Sequence, residues 1–515
     1  MAENNNIISF FVSAAAKHPD SPAIRGKINL SYGELLEKVK SRAFFFKKRG
    51  IKKGDRVLVF VPMSENLYIN VLALFYNGAV PVFVDEWVSK KRLEVCCRIA
   101  GCKAFIAPFR YRCIAFFIRE LRKIPIWMSE SNNESGTLAA FAQCHWDDPA
   151  LITFTTGSTG IPKAAIRTHG ILQAQFSALL KKTGMKNGDV VMTTLPIVLL
   201  IGLGCGATSV MAKFKPSKPW RTIPENIYSQ IRKEKVNILI ASPYFTLELC
   251  RKNQPSDLCL KIFTGGAPVF PCDAEKLIQT FPGSSVQVVY GSTEAEPISM
   301  ISAGEIADNK IHLIYKGLAA GEIDPSAEVK IISITSEPLG NITGETWNSL
   351  LKNQGETGEI VVSGKHVVEN YLNNADAFRG NKIVASGKIW HRTGDAGIID
   401  ENGKLWLAGR CKQLFFNTSG WISPFVYEAV LKSLEGITSG TVLFTEEKKI
   451  IVCELKSNES SEKTKKLINS TGLLFDKIIF LKKIPKDPRH FSKIDYDLLH
   501  KMIRKDKLIF PELFF

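Results

Sequence analysis

Small hydroxyl residues, glycines and one lysine follow each other in the stretch Thr153–Ala165, TFTTGSTGIPKAA. Glycine lets a backbone approach a ligand closely, and successive backbone N–H groups in such a loop form a concave anion site. Hydroxyl groups add donors and Lys163 adds a point charge, so the stretch suits a triphosphate. It is not a GxxxxGK[ST] phosphate loop, because Ile161 and Pro162 separate Gly160 from Lys163. Taken alone, the composition is equally compatible with a surface turn.

Three further polar turns each end an apolar segment that has the character of a buried strand. These segments are VNILIASP (Val236–Pro243), KIFTGGAP (Lys261–Pro268) and VQVVYGSTE (Val286–Glu294). Ligands of open α/β sheets bind where the strands finish at their carboxyl edge. We therefore expect these turns to converge with the Thr153–Ala165 loop on one site.

Strand-like and helix-like segments alternate through most of the chain, which is typical of an α/β protein. Asp55–Pro62 and Val80–Asp85 have a strand pattern, and Asn66–Ala79 between them has a helical pattern. The short segments AEVKIISIT, TGEIVVSG and GKLWLAG predict a β-rich part after about residue 315. A chain of 515 residues is too long to fold around a single hydrophobic core, so we expect more than one domain. We expect a large multi-subdomain α/β domain over 1–411, β-rich over 315–411, and a small mobile α+β domain over 412–515.

The formal net charge of +17 favours anionic partners such as nucleotides, acyl carriers or lipid surfaces. No nucleic-acid-binding motif accompanies this charge. The eleven cysteines include no CxxC pair, and an odd number of free thiols is typical of a reducing cytosol. The first residues, MAENNNIISFF, lack the basic and apolar regions of a signal peptide. These features predict a cytoplasmic protein.

Two segments raise the question of membrane contact. Val190–Ala212 carries no charge over 23 residues, but Pro196 and three glycines interrupt it. We interpret it as a buried strand, a turn and a buried helix, and expect no transmembrane segment. Phe109–Lys123, FRYRCIAFFIRELRK, is either a basic aromatic helix that touches a membrane surface or an ordinary surface helix.

Five separated motifs occur in a fixed order along the chain. They are TFTTGSTGIPK, YGSTE (Tyr290–Glu294), HRTGD (His391–Asp395), the pair Gly409–Arg410, and Lys493 in PKDPRHFSKID. Together they resemble the adenylate-forming superfamily of acyl-CoA synthetases, adenylation domains and luciferases. The tail pattern RHxxK, together with HRTGD and GSTEAEPIS (Gly291–Ser299), resembles the branch that holds fatty-acid ligases and the β-lactone synthetases of bacterial olefin pathways.

This resemblance implies a role for each motif. Tyr290 would stack on adenine, while Asp395 and Arg410 would hold the ribose. The residues implied to contact the nucleotide are Thr155, Thr156, Gly157, Ser158, Thr159, Gly160, Lys163, Gly265, Gly266, Ala267, Pro268, Tyr290, Gly291, Ser292, Asp395 and Arg410.

The implied catalytic residues are Thr293, Glu294 and Lys493. Thr293 would donate to the α-phosphate, and Glu294 would bind Mg²⁺, a cation that prefers carboxylate and phosphate oxygens. Lys493 would stabilise the negative charge that develops in the transition state. Lys412 would be the hinge between the two domains.

The acid and its acceptor are less closely specified. Leu195–Ser209 carries no charge, and a buried ammonium without a partner is costly, so an apolar acyl chain at Leu199, Leu200 and Gly202 is favoured. The leading hypothesis is transfer of the acyl group to CoA or another carrier thiol, with ATP and Mg²⁺ as cofactors. The alternative is closure of a β-hydroxy acid to a β-lactone without CoA, since Thr418, Ser419 and Trp421 depart from the usual pantetheine path. A nucleotide sensor without catalysis is a third hypothesis, which the retained Glu294 and Lys493 disfavour.

Overall fold

The computed structural model describes residues 4–84, 88–131, 136–156, 162–215, 219–252, 254–417, 420–445, 448–457, 459–487 and 492–504. Up to residue 131 its elements are α1 (Ile8–Lys17), β1 (Pro22–Arg25), β2 (Leu30–Ser31), α2 (Tyr32–Lys48), β3 (Arg56–Val59), α3 (Glu65–Tyr76), β4 (Val80–Phe83), α4 (Lys90–Ala100), β5 (Ala104–Ile106), α5 (Phe109–Ala115), α6 (Arg119–Arg122) and β6 (Ile126–Met128).

Residues 136–302 contain most of the strands that end near the polar turns. Their elements are β7 (Pro149–Thr156), β8 (Pro162–Thr168), α7 (His169–Thr183), β9 (Val190–Thr193), α8 (Pro196–Cys205), β10 (Thr208–Met211), α9 (Pro224–Glu234), β11 (Ile238–Ala241), α10 (Pro243–Leu249), β12 (Lys261–Gly265), α11 (Pro271–Thr280), β13 (Ser285–Ser292) and β14 (Ala295–Ser302).

Residues 303–410 are rich in strands, as the sequence predicts. Their elements are α12 (Ala303–Asp308), α13 (Leu313–Lys316), β15 (Leu318–Ile323), β16 (Glu328–Ile332), β17 (Gly340–Asn341), α14 (Gly344–Leu350), β18 (Gly358–Ser363), β19 (Asn370–Tyr371), α15 (Ala375–Asn381), β20 (Lys382–Ala385), β21 (Lys388–Ile399) and β22 (Lys404–Arg410).

The last part of the chain mixes helices with short strands. Its elements are β23 (Phe415–Asn417), β24 (Gly420–Ile422), α16 (Pro424–Ser433), β25 (Ile437–Thr445), β26 (Lys448–Leu455), α17 (Ser461–Asn469), β27 (Lys477–Leu481) and α18 (Tyr496–Arg504). Strands β25, β26 and β27 form a three-stranded sheet of their own. The α/β fold class with a small α+β C-terminal part is confirmed.

Two large sheets form the rest of the described chain. The larger has the order β16-β18-β21-β22-β15-β14-β13-β12-β11-β9-β10-β1-β2, and the smaller has the order β19-β8-β7-β4-β3-β5-β6. The run from β13 through β1 is parallel, as expected for strands connected by helices. From β14 outwards the pairing is antiparallel, so the β-rich part after residue 315 continues the large sheet edge to edge instead of forming a separate one.

Local signals explain where the predicted elements begin and end. Helix α3 starts after Ser64, whose hydroxyl accepts a hydrogen bond from the backbone N–H of Leu67. It stops before Gly78, which has a φ of +66° that favours glycine. The predicted strands Asp55–Pro62 and Val80–Asp85 are confirmed as β3 and β4.

The uncharged segment Val190–Ala212 forms strand β9, helix α8 and strand β10. Pro196 occupies the first turn of α8, where its missing N–H costs no helical hydrogen bond, and Gly206 ends the helix with a φ of +86°. The helix thus has ten residues and connects two neighbouring parallel strands of the large sheet. Throughout the described ranges, no helix is both long and apolar enough to cross a membrane.

Candidate active site

A cavity of about 2460 Å³ opens where the parallel strands of the large sheet reach their carboxyl ends. Strands β9, β11, β12 and β13 are neighbours there, and the residues just beyond them line the cavity: Thr194, Ser242, Gly266, Ala267, Pro268, Thr293 and Glu294. Gly265 permits the close approach of β12 and β13, because a Cβ atom at this position would lie 2.6 Å from the Val289 carbonyl oxygen. The predicted convergence of these turns is therefore observed.

Tyr290, Asp395 and Arg410 meet on one side of the cavity. The Tyr290 hydroxyl donates to Asp395 Oδ2 at 2.9 Å, and Arg410 Nη1 lies 3.2 Å from Asp395 Oδ1. Antiparallel pairing places Asp395 of β21 directly opposite Arg410 of β22. The Asp395 carboxylate raises the pKa of Arg410, so a permanent cation lies beside a carboxylate that can accept hydrogen bonds from a sugar.

Thr155 and Lys163 lie opposite each other on the two strands that flank the turn of the Thr153–Ala165 loop. Strands β7 and β8 pair in antiparallel fashion, with Thr155 in register with Lys163, and both residues line the cavity. Lys163 Nζ donates to Asn381 Oδ1 at 2.6 Å. Gly157, Ser158, Thr159 and Gly160, together with the side chain of Thr156, lie outside the described residues.

Glu294 is a buried carboxylate that is hydrogen-bonded to Thr155 of β7. It is only 9% exposed, and its Oε1 accepts hydrogen bonds from the hydroxyls of Thr155 at 3.2 Å and Tyr371 at 3.3 Å. Oε2 accepts no hydrogen bond from the described part of the chain, and the residue lines the cavity. Glu294 thus keeps one carboxylate oxygen available to a ligand.

A buried cluster of basic residues lies behind Glu294. Lys382 in β20 is fully buried and donates from Nζ to the Val368 carbonyl, while the Val368 N–H donates to the Glu294 carbonyl at 2.7 Å. His391 of β21 is in register with Lys382, and its Nδ1 lies 3.3 Å from the carbonyl oxygen of Asn381. Asn381 therefore links this cluster to Lys163.

The ionisation of the cluster follows from burial and from mutual charge. Burial lowers the pKa of Lys382 to about 7 and lowers the pKa of His391 to about 3, so His391 is neutral at pH 7. Burial also acts to raise the pKa of Glu294, but Lys382, Lys163 and the Thr155 hydrogen bond outweigh that effect. The pKa of Glu294 therefore lies below its ordinary value, and the carboxylate is ionised.

Sequence reasoning missed Lys382 and Tyr371 as members of this site. Lys382 begins a four-residue strand, and Tyr371 ends a two-residue strand, so neither belongs to a motif with a recognisable spacing. Both lysines nevertheless lie close to the Tyr371 ring, with Lys163 Nζ 5.9 Å and Lys382 Nζ 5.5 Å from the ring centre. Only the pairing of β19 with β8 and of β20 with β21 brings them to Glu294.

Thr293, Lys412 and Lys493 also line the cavity. Arg167 fixes the turn that carries Thr293, because its Nη2 donates to the Thr293 carbonyl and its Nη1 to Thr153 Oγ1, both at 2.6 Å. Lys493 lies in a segment where its carbonyl accepts from the Asp487 N–H at 2.8 Å. The lysine predicted for catalysis therefore faces the same cavity as Glu294 and Tyr290.

One of the three residues predicted to contact the acyl chain lies on the cavity wall. Leu200 lines the cavity, together with Phe176, Leu179 and Ile201. Leu199 is fully buried in the core formed with α1 to α3, and Gly202 is likewise absent from the cavity wall. Helix α8 has no polar face, so its sequence could not distinguish the side that lines the cavity from the side that packs.

Among the described residues, no acidic side chain lines the part of the cavity formed by β3, α3, α7 and α8. The wall drawn from β3, α3, α7 and α8 consists of apolar and neutral polar side chains, among them Val59, Met63, Leu67 and Gln175. An ammonium group buried here would lack a counter-charge. This part of the cavity therefore suits an uncharged chain.

The model of the AMP-binding enzyme family matches residues 11–372. The chain belongs to the AMP-binding enzyme family. As a member, it is an adenylate-forming enzyme, and ATP is the nucleotide that such enzymes use.

Relatives of this AMP-binding enzyme fall in both branches that the sequence indicates. It is 28% identical over 468 residues to an olefin β-lactone synthetase of Stenotrophomonas maltophilia (strain K279a), covering 84% of each chain. It is 24% identical over 489 residues to 4-coumarate–CoA ligase 1 of Arabidopsis thaliana, covering 86% of this chain and 82% of that protein.

Solved structures share the fold. O-succinylbenzoate coenzyme A synthetase from Bacillus subtilis, in complex with AMP, matches with a TM-score of 0.78 and 20% identity over 96% of this chain and 97% of that one. The amide bond synthetase McbA from Marinactinospora thermotolerans matches with a TM-score of 0.79 and 18% identity over 96% and 99% of the two chains. At this identity the likeness concerns the fold of the AMP-binding enzyme.

Proposed function

We propose that this AMP-binding enzyme activates an apolar carboxylic acid as its acyl-adenylate. The observation that carries the proposal is the position of Lys493, Glu294 and the Tyr290–Asp395–Arg410 group around one cavity that continues into an uncharged wall. In the reaction, a carboxylate oxygen bonds to the α-phosphorus of ATP. The bond from that phosphorus to its bridging oxygen breaks, and pyrophosphate leaves.

The position of each residue around the cavity indicates its role in binding ATP or in forming the adenylate. Asp395 and Arg410 orient the ribose, with Tyr290 against the base, and the Thr153–Ala165 loop with Lys163 receives the terminal phosphates. Lys493 stabilises the charge that accumulates on the α-phosphate and the acyl oxygen as the new bond forms, which is the usual way in which such a cation lowers a barrier. Lys382, whose pKa is lowered to about 7 by burial, supplies a second positive charge behind Glu294 when it is protonated.

Glu294 fits a role in binding Mg²⁺. An ionised carboxylate with one unengaged oxygen on the cavity is the type of ligand this ion prefers, together with phosphate oxygens. When bound, the ion would neutralise phosphate charge. Thr155 and Tyr371 hold the other carboxylate oxygen and so orient Glu294 toward the phosphate side.

For the second step we propose that the acyl group is captured by a hydroxyl on the β-carbon of the same acid. That oxygen attacks the acyl carbon and loses its proton, AMP leaves, and a β-lactone results. The similarity to olefin β-lactone synthetases supports this acceptor, as does the RHxxK pattern around Lys493.

CoA is the second candidate acceptor. Its support is the similarity to 4-coumarate–CoA ligases along most of the chain and the small residue Gly420 near the expected pantetheine path. In that reaction the thiol sulfur attacks the acyl carbon and AMP leaves. Rotation of residues 412–515 about Lys412 would convert the conformation that forms the adenylate into the one that transfers the acyl group. Hinge rotation of this kind is a common domain motion.

One experiment separates the acceptors. A long-chain β-hydroxy acid is incubated with ATP and Mg²⁺, with and without CoA, and the products are analysed by mass spectrometry. We expect equal consumption of the acid in both reactions and a product with the mass of the acid minus water. CoA-dependent consumption, with an acyl-CoA mass, would instead establish the ligase activity, and absence of pyrophosphate release would reject both.

A further inference from the structure

Helix α5 and the link to α6 carry an unusual group of exposed apolar side chains. Phe109, Ile114, Phe116 and Phe117 are between 60% and 76% exposed. Exposed apolar residues scattered singly need no explanation, whereas a contiguous group marks a site of interaction. We call these four residues and the basic side chains around them the α5 surface.

The α5 surface lies in a strongly basic part of the chain. Residues 88–123 contain ten basic and two acidic residues, an excess of eight against a net charge of +17 for all 515 residues. One acid, Glu120, is already held by Lys123 at 2.8 Å and Arg98 at 3.9 Å. The exposed basic residues are Lys90, Lys91, Arg98, Arg110, Arg119, Arg122 and Lys123.

Apolar and basic side chains occupy the same face. A groove of about 320 Å³ is lined by Lys90 at the start of α4 and by Cys113, Ile114, Phe117 and Ile118. The first turn of α4 therefore adjoins the apolar side chains that follow α5. A basic residue placed beside outward-pointing aromatic rings is the arrangement found at the headgroup level of membranes.

The large cavity reaches the edge of this surface. Its wall includes Ser89 and Arg92 of the α4 start and Arg110 and Tyr111 of α5. The Tyr111 ring contacts Phe60, which follows β3, edge to face at 5.4 Å. An apolar acid at the α5 surface would thus be next to the uncharged wall of the active site.

We propose that the α5 surface docks this enzyme onto an anionic lipid bilayer, from which the acid passes into the cavity. The strong excess of positive charge argues for an anionic surface and against a second copy of the chain, because two such surfaces would repel each other. The docking step is independent of the acyl acceptor, and only the passage of the acid rests on the proposed function.

Vesicle sedimentation with the purified full-length protein tests the docking. One set of vesicles consists of phosphatidylcholine alone, and the other of equal parts phosphatidylcholine and phosphatidylglycerol. We expect binding to the anionic vesicles to be at least about tenfold tighter, and to weaken as salt is added.

Paired variants locate the contact. Phe116→Ser combined with Phe117→Ser should weaken binding to anionic vesicles by about tenfold, because the apolar anchor is lost. Lys90→Glu combined with Lys91→Glu should weaken it by a similar factor at low salt. The control pair, Ile311→Ser with Ile314→Ser, alters two side chains that are 68% and 65% exposed near α13 and should bind like the unchanged protein.

Adenylation of a short, water-soluble acid is measured for every variant and should be unchanged, which shows that the variants fold. The proposal fails if the unchanged protein binds both kinds of vesicle equally or not at all, or if the control pair loses as much binding as the α5 pairs. It also fails if the Phe116 and Phe117 changes alter only the oligomeric state. Each of these failures would leave the proposed adenylation intact, since that activity is read out without vesicles.

Discussion

Two buried glutamates in this enzyme have pKa values shifted in opposite directions. Glu294 lies beside Lys163 and Lys382, which hold its pKa below the ordinary value despite its burial. Glu428 of α16 is equally buried, and burial raises its pKa to about 7, although Tyr496 and Thr441 donate to its Oε1. Hydroxyl hydrogen bonds and the charges of Lys432 and Lys486 do not offset the burial of Glu428, whereas the charges and the hydrogen bond around Glu294 do offset its burial.

The opposite pKa shifts distinguish Glu294, which we propose binds a cation, from Glu428, which contributes to packing. Glu294 has an unengaged oxygen on the cavity and two lysines that keep it ionised before any metal arrives. Glu428 forms a hydrogen-bonded group within the C-terminal part, where Thr441 Oγ1 and the Tyr496 hydroxyl also lie 2.6 Å apart. Both residues line the same cavity, so location alone does not decide the role.

Glu294→Gln should give the largest effect. At limiting Mg²⁺, adenylation should fall by about 100-fold, because the charged ligand is lost while the shape is kept. Higher Mg²⁺ should restore part of the rate, and AMP affinity measured by calorimetry should change by less than about threefold. Glu428→Gln, the matched control, should adenylate within about twofold of the unchanged protein. Equal losses in the two variants would remove the distinction between the glutamates.

Lys382→Met should lower adenylation by about tenfold. The substitution removes the buried positive charge that keeps Glu294 ionised, and a charge interaction of this kind is worth about 1–2 kcal/mol at the dielectric of a protein interior. The loss should appear as a higher Mg²⁺ requirement in a pyrophosphate-release assay. Lys388→Met, on neighbouring β21 but exposed and paired with Glu328, is the control and should be silent. A loss in Lys382→Met that is independent of Mg²⁺ would indicate a different role.

Glu428→Gln should change the pH dependence of stability. The folded-state pKa of about 7 lies above the ordinary glutamate value of 4.5, so the folded state holds a proton that the unfolded state releases between these values. The stabilising contribution of Glu428 is thus complete below pH 4.5 and is lost as the pH rises through 7. Above pH 7 the variant should be more stable than the unchanged protein by about 3 kcal/mol, since glutamine needs no proton to remain neutral.

Native-state hydrogen exchange of strands β25 and β26 measures this opening free energy at each pH. The advantage of the variant should grow between pH 5 and pH 8. A constant difference across that range would show that Glu428 is ionised in the folded protein and that the two glutamates are alike.

Tyr371→Phe should have the smallest effect. It removes one of two hydroxyls that donate to Glu294 Oε1, at the long distance of 3.3 Å, and Thr155 remains. We expect adenylation to fall by about threefold to fivefold, which corresponds to one modest hydrogen bond. Thr155→Val is the comparison, because it removes the other donor; a much larger loss in Tyr371→Phe would show that the ring, rather than the hydroxyl, supports the site.

The sequence predicted the group of Tyr290, Asp395 and Arg410 better than the buried cluster of basic residues behind Glu294. Tyr290, Asp395 and Arg410 belong to short motifs whose order is itself informative, and strands β13, β21 and β22 bring them together. Lys382 could not be found in this way, because a lysine at the start of a strand is ordinarily exposed. Its burial depends on the pairing of β20 with β21, and that pairing carries no local signal.

The same contrast applies to the fold. Most of the strands and helices predicted before residue 315 were confirmed, because their periodic patterns and caps are local. The exceptions are Val190–Ala212, which ends in the unpredicted strand β10, and Phe109–Lys123, which forms two short helices instead of one. That the later strands extend the large sheet was not predicted, since it depends on long-range pairing of β14 with β15 and of β15 with β22. Helix α8 shows the remaining limit, as ten apolar residues cannot indicate which of Leu199 and Leu200 faces the cavity.

The central claim, that Lys493 and this cavity form an acyl-adenylate, is tested most directly by pyrophosphate release from ATP with a long-chain acid. The unchanged protein should release pyrophosphate in proportion to the acid consumed. Lys493→Ala should release it about 100-fold to 1000-fold more slowly, the scale for one lost transition-state donor, while still binding AMP. No release by the unchanged protein with any apolar acid, or a near-normal rate in Lys493→Ala, would contradict the claim.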